Sequence, residues 1–319
     1  MLYAYRDRNG RLERMEAGAD IGAALWIDLY APQEAQVAAV AALGLEVPTL
    51  QDMEEIEISS RLNRQGGIDY MTVVLPGLST GQAPMAGPVT FILSESRLVT
   101  VRHHAPRPFE TYPERADRSA LGAGSAERIF LGLTDEIVAR LADLLEGAGG
   151  ELDAAARGVF GGGAQGRPEV LRQTLERVGR QGELLGRVRL ALLTVERALS
   201  YFGQTLGLRM EGEELRAALK AQMRDIQALG VHADFLSTRV SLAVDATLGL
   251  INLEQNATVR IVSTVAVLFL PPTLVASVYG MNFAVMPELD APWGYPAAIG
   301  LMIASAALTW VVFKWKRWL

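Results

Sequence analysis

The 319-residue sequence has no cysteine, which excludes disulfides, thiolate metal sites and thiol nucleophiles. Histidine is almost as scarce, with three in the chain. Two are adjacent, His103 and His104. Neighbouring residues on a strand point to opposite faces, and no partner ligand accompanies them, so a structural or exposed pair is expected. A basic stripe is also missing, and the net charge is −6, so nucleic acid is not an expected partner. No GxxxxGK[ST] loop occurs, which leaves P-loop ATP hydrolysis without support. No Ser/His/Asp set or paired-carboxylate site can be assembled, so neither an enzyme nor an organic cofactor is expected. The opening Met1-Leu2-Tyr3-Ala4-Tyr5-Arg6-Asp7 lacks a basic stretch followed by an apolar run. The N-terminal region is therefore expected to stay in the cytoplasm.

Charge is also absent from two long stretches near the C-terminus. The chain is 50% hydrophobic and 21% charged, and the apolar excess collects after Arg260. Ile261–Tyr279 carries no charge. At about 1.5 Å per residue it is roughly 28 Å long, close to a hydrocarbon core of ~30 Å. Ala291–Phe313 is likewise uncharged and long enough to span with some tilt. The tail Lys314-Trp315-Lys316-Arg317-Trp318-Leu319 is basic and aromatic, as expected beside the cytoplasmic face of a membrane. Two spans then put both termini in the cytoplasm and the connector, with Glu288 and Asp290, outside. Pro271 and Pro272 fall mid-span and free helix carbonyls, which a water-filled passage or an ordinary packed kink would accommodate.

The remainder reads as a soluble α+β region. Residues 24–29, 70–75, 89–93 and 98–101 read as strands, and 32–43 and 48–59 as helices. From Ser125 the periodicity is helical to Val159. It breaks at Gly161-Gly162-Gly163, then resumes from Pro168 towards Leu206. A third helix starts near Glu211 and meets no proline before Pro271. Continued into the first span it would be on the order of 100 Å long and would need lateral partners. The expected divisions are an α/β domain over 1–124, a helical region and stalk over 125–258, spans at 259–280 and 293–313, a connector at 281–292 and a basic tail at 314–319.

The first span ends in Tyr279-Gly280-Met281-Asn282-Phe283, followed by Met286-Pro287-Glu288-Leu289 and, at the second span, Gly294-Tyr295-Pro296. With two terminal spans and a basic tail, this resembles the CorA family of magnesium channels, whose signature is Gly-Met-Asn at this place. The recognisable part covers roughly Asp245–Leu319. The resemblance implies a homopentameric funnel with an α/β/α sandwich domain, a long stalk helix, an inner-membrane location and passive, voltage-driven influx of hydrated Mg²⁺, with Co²⁺ and Ni²⁺ as further cargo. It implies a filter of Gly280, Met281 and Asn282. The expected pore lining is Ser277, Thr273, Leu270, Val262, Asn256 and Asp245. Glu288 is expected in the outer loop, and Lys314, Lys316 and Arg317 as a basic ring at the inner mouth. Mg²⁺ dehydrates reluctantly, so neutral oxygens that hold its water shell suit a filter better than carboxylates. Leu270 and Val262 would block ions by dewetting.

The family also implies gating by intracellular Mg²⁺, placed here near Asp225, although Ala228 stands where a second carboxylate is sought. The acidic run Asp52, Glu54, Glu55 and Glu57 reads as a solvated face. Gly280 and Asn282 also suit a plain helix C-terminus in a left-handed conformation. Two other readings stay open. The related ZntB branch transports zinc but departs from this sequence at Met281 and in the connector. A membrane-anchored scaffold without conduction would not need the connector at all.

Overall fold

The computed structural model describes residues 1–16, 18–55, 61–118, 121–160, 168–206, 212–281, 286–287 and 291–316. Seven strands form one mixed sheet in the order β2-β1-β3-β7-β6-β5-β4. They are β1 (Leu2–Arg8), β2 (Arg11–Arg14), β3 (Trp26–Tyr30), β4 (Leu62–Gln65), β5 (Ile68–Leu78), β6 (Pro84–Leu93) and β7 (Leu98–Arg102). β3 and β7 run parallel, with Trp26 opposite Leu98 and Tyr30 opposite Arg102. The other pairings are antiparallel.

Strand alternation divides the core. On β3, Trp26 joins the larger apolar cluster, while Ile27 and Leu29 join the smaller one on the opposite face. The smaller cluster is covered by α1 (Glu34–Ala41) and α2 (Leu50–Glu54) through Val40 and Met53. The larger is covered by α3 (Pro108–Arg115), α4 (Ala126–Phe160), α5 (Pro168–Leu206) and the first part of α6 (Glu213–Tyr279). The expected α/β/α sandwich is therefore present. An aromatic chain runs through its centre: Phe91 meets Phe130 edge-on at 5.2 Å, and Phe130 meets Phe202 at 4.9 Å.

Buried polar groups lock helices onto this core. The Val74 amide donates to Thr194 Oγ1 at 3.0 Å, tying α5 to β5. Gln222 Nε2 donates to the Leu131 carbonyl at 2.8 Å, and Thr134 Oγ1 donates to Gln222 Oε1 at 3.0 Å, tying α6 to α4. Each bond satisfies a group that would be costly to bury alone.

Two compact units result: Met1–Gly161 with Gln173–Val244, and Gly162–Arg172 with Asp245–Leu319. The sheet and the helices as far as Val244 share the first unit. The long helix spans 67 residues and passes through Pro271 and Pro272 without a break. A final helix, α7, covers Gly294–Trp315.

The sequence reading needs correction at the margins. The edge strands β2 and β4, the strand β1 beside the edge and the short α3 were not anticipated. β5 and β6 are about twice as long as the apolar runs that announced them, because their pairing continues through Gly77 and Gly87. The helix expected over 48–59 ends at Glu54, with 56–60 outside the described residues.

Candidate functional site

Two helices are long and apolar enough to cross a membrane, α6 and α7. Their most apolar stretches are almost wholly unburied within this chain. An apolar helix core would hide such segments; these face outward. Trp293, Tyr295 and Trp315, 65%, 79% and 84% exposed, flank α7 at its two ends as interfacial aromatics do. Lys314 Nζ lies 4.8 Å from the Trp310 ring centroid, and the Lys316 amide closes the helix on the Val312 carbonyl at 3.0 Å.

The expected pore residues Asp245, Asn256, Val262, Leu270, Thr273 and Ser277 all lie on α6, and all are exposed in the single chain. At 3.6 residues per turn they fall within roughly a third of the helix circumference. Thr273 Oγ1 donates to the Phe269 carbonyl at 2.7 Å, leaving its lone pairs as acceptors. Pro271 and Pro272 cannot donate to the carbonyls of Val267 and Leu268, their partners four residues back.

At its C-terminal end the helix stops at Tyr279. The Gly280 amide donates to the Ala276 carbonyl at 2.9 Å, and the Met281 amide to the Val278 carbonyl at 3.3 Å. Gly280 is not among the positive-φ glycines, so it does not take the left-handed conformation of the plain-terminus reading. An added Cβ would stand 3.1 Å from the Ala276 carbonyl oxygen, a tight contact. Met281 is 47% exposed. Asn282, Glu288 and Arg317 lie outside the described residues.

Asp225 sits exposed on α6. A carboxylate close enough to feel its charge, Asp135, stands on α4. Burial first, then the charges of Asp225 and Glu136, hold the Asp135 carboxyl above the usual range. Tyr112, whose hydroxyl has no hydrogen-bond partner among the described residues, lines the same recess as Asp135 and Glu136. No helical periodicity links positions 135 and 225, which is why the sequence reading missed this pair. Among the described residues no group of three or more His, Asp or Glu side chains is gathered to hold a metal.

The other candidates are structural. Asp52 caps α2, accepting from the Thr49 amide at 2.9 Å. His104 is buried, with Nε2 2.9 Å from the Leu75 carbonyl. Gly77 and Gly87 make room for its ring; an added Cβ on either would come within 2.8 Å of it.

An α/β/α sandwich whose last helix, α6, continues into an exposed apolar stretch and is followed by a second apolar helix, α7, fits a membrane protein with a large soluble domain. The family model described as "CorA-like Mg2+ transporter protein" matches residues 22–317. Magnesium transport protein CorA of Yersinia pseudotuberculosis is 35% identical over 323 residues, with all of both chains covered. The protein of that name from Escherichia coli is 34% identical with the same coverage. The complete CorA magnesium transporter of Methanocaldococcus jannaschii has a TM-score of 0.75 at 17% identity, covering 100% of this chain and 99% of that one. The cytoplasmic domain of ZntB from Vibrio parahaemolyticus has a TM-score of 0.56 at 10% identity, over 78% of this chain and 97% of that one. The chain belongs to the CorA family.

Proposed function

We propose that this protein is a channel for hydrated Mg²⁺, with the exposed face of α6 from Asp245 to Ser277 lining a central passage between identical subunits. One observation carries the reading. A helix in the membrane-crossing class exposes Asn256, Thr273 and Ser277 in line with Val262 and Leu270. Polar groups in a span face a bundle interior or water, not lipid. Hydroxyls and amides from several subunits would hold an ion through its water shell and release it again. Asn282 and the Gly280 carbonyl would form the outer filter. Inward transfer of a divalent ion gains about 4.6 kcal/mol per 100 mV, twice the ~2.3 kcal/mol per charge, so no chemical energy source is required.

The same helix supports assembly into a homo-oligomer, for which we propose the pentamer that the family resemblance implies. Val231, Phe235 and Leu242 on α6 are 72%, 57% and 63% exposed in the single chain, a stripe that subunit packing would cover. Intracellular Mg²⁺ would bind near Asp225. Asp135 fits that role, because a carboxyl under repulsion from its neighbours gains from a cation. Since Mg²⁺ keeps several waters, two carboxylates are a sufficient protein share. Both termini would be cytoplasmic, Lys314, Lys316 and Arg317 would ring the inner mouth, and Glu288 would lie in the outer loop. Co²⁺ and Ni²⁺ are further candidate cargo. The zinc-transporter reading has less support, since the full-length magnesium transporters match over the whole chain at 34–35% identity.

The test is Mg²⁺ flux into liposomes holding the purified protein. Asn282→Ala should abolish flux while the assembled mass in detergent stays unchanged. Unaltered flux in that variant would remove the filter assignment, and no flux in the unmodified protein would favour a scaffold.

A further inference from the structure

A cavity of about 490 Å³ opens in the soluble unit between the β1–β2 edge of the sheet and α3. That volume is in the range of small-molecule pockets. Its floor is the Asp28–Arg102 ion pair, both residues buried, with Nη2 and Oδ2 2.9 Å apart. Arg102 also donates to the His104 carbonyl at 3.1 Å and lies over the Tyr30 and Phe109 rings at 4.5 and 5.0 Å. A guanidinium engaged on so many sides has little left for an anion.

Two features of the lining are unmatched by the protein itself. Tyr5 is 9% exposed, with its ring stacked on Trp26 at 4.7 Å. Tyr5 lines the cavity together with Tyr3, Arg14, Asp28 and Arg102, and no hydrogen bond of its hydroxyl is found among the described residues. Glu110 and Glu114 stand one turn apart on α3, exposed at the rim. Neither forms an ion pair among the described residues, and like charges at this spacing repel. Arg14 at the rim is stacked over the Tyr3 ring at 4.4 Å. Three carboxylates against two guanidiniums leave the lining one net negative charge.

We propose that this cavity binds a small aliphatic amine cation, of the diamine or polyamine class. Glu110 and Glu114 hold its ammonium groups at the rim, the Tyr5 hydroxyl accepts a hydrogen bond from the inner end, and the tyrosine rings pack on its methylenes. No group of three or more His, Asp or Glu side chains is gathered there to hold a metal among the described residues. The site is separate from the conducting helix, so its test does not depend on flux.

The experiment is calorimetric titration of putrescine and spermidine into the full-length protein in detergent with Mg²⁺ present. Saturable binding is expected. Glu110→Gln with Glu114→Gln should weaken it about tenfold or more, the equivalent of ~1.4 kcal/mol. Tyr5→Phe should weaken it several-fold at an unchanged melting temperature. A control pair of exposed glutamates outside the cavity, Glu34→Gln with Glu46→Gln, should leave it untouched. No saturable binding by the unmodified protein, equal weakening in the control pair, or complete displacement by Mg²⁺ would each overturn the proposal.

Discussion

Arg102 and Asp28 face each other across the parallel junction of β7 and β3, both at least 96% buried, joined by Nε and Nη2 to the two carboxylate oxygens. Thr100 Oγ1 donates to the same carboxylate at 2.8 Å, and Trp26 Nε1 donates to Thr100 at 3.1 Å. The pair therefore anchors a short buried polar chain at the one place where the sheet changes direction. Removing one partner strands a buried charge. Asp28→Ala is expected to destabilise the soluble unit by about 3–5 kcal/mol, whereas Asp28→Leu with Arg102→Met should recover most of that loss. Denaturant unfolding, with hydrogen exchange read at β3 and β7, measures both.

Stability towards acid should depend on His104. Burial, ahead of the nearby Arg102 and His103 charges, holds its imidazole below the ordinary value, while the Leu75 carbonyl acts in the opposite direction. The folded state thus resists a proton that the unfolded chain accepts near pH 6.5. Stability is full above that pH and falls as the pH drops from there through the folded-state value. His104→Gln should flatten this part of the melting temperature profile between pH 7 and pH 5. A profile as steep as that of the unmodified protein would assign the acid sensitivity elsewhere.

The Asp135–Asp225 relationship has the opposite sign. A carboxyl whose folded-state value is raised contributes stability below its unfolded value and loses it as the pH rises through the folded value. At neutral pH without divalent ions the pair is therefore a cost. Asp135→Asn should raise the melting temperature slightly in chelator, by well under about 1 kcal/mol given the partial exposure. It should also reduce the further rise that Mg²⁺ produces. A melting curve with an undiminished response to Mg²⁺ would dissociate Asp135 from ion sensing.

Leu270 and Val262 give a test of the closed passage. If their side chains ring a dry constriction, Leu270→Ser or Val262→Ser should wet it and raise resting Mg²⁺ flux several-fold in liposomes at high internal Mg²⁺. Flux equal to that of the unmodified protein in both variants would place these residues against lipid or neighbouring helices instead.

The long helix was legible because nothing in the sequence stops it: no glycine cluster or proline intervenes between Glu213 and Pro271, and the span that follows is uncharged. The central strands were legible from runs such as Val89–Leu93, which are apolar on both faces. β1 and β2 were not. They mix Arg6, Arg8, Arg11 and Glu13 among their residues, which β2 tolerates as an edge strand and β1 because its C-terminal residues are exposed. Asp135 escaped notice for another reason. Its significance comes from a neighbour ninety positions away, a relation set by how α4 and α6 pack and not by either helix alone. The amine cavity is similar: Tyr5, Glu110 and Glu114 are ordinary residues until the sheet and α3 bring them to one opening.

The double proline in α6 carries one more consequence. Two consecutive carbonyl dipoles, those of Val267 and Leu268, are left without their usual donors in a segment flanked by hydrocarbon-compatible residues. Oil offers such oxygens nothing. At that depth one side of the rod must therefore meet either moisture or a polar neighbour, and it cannot be greasy all the way round.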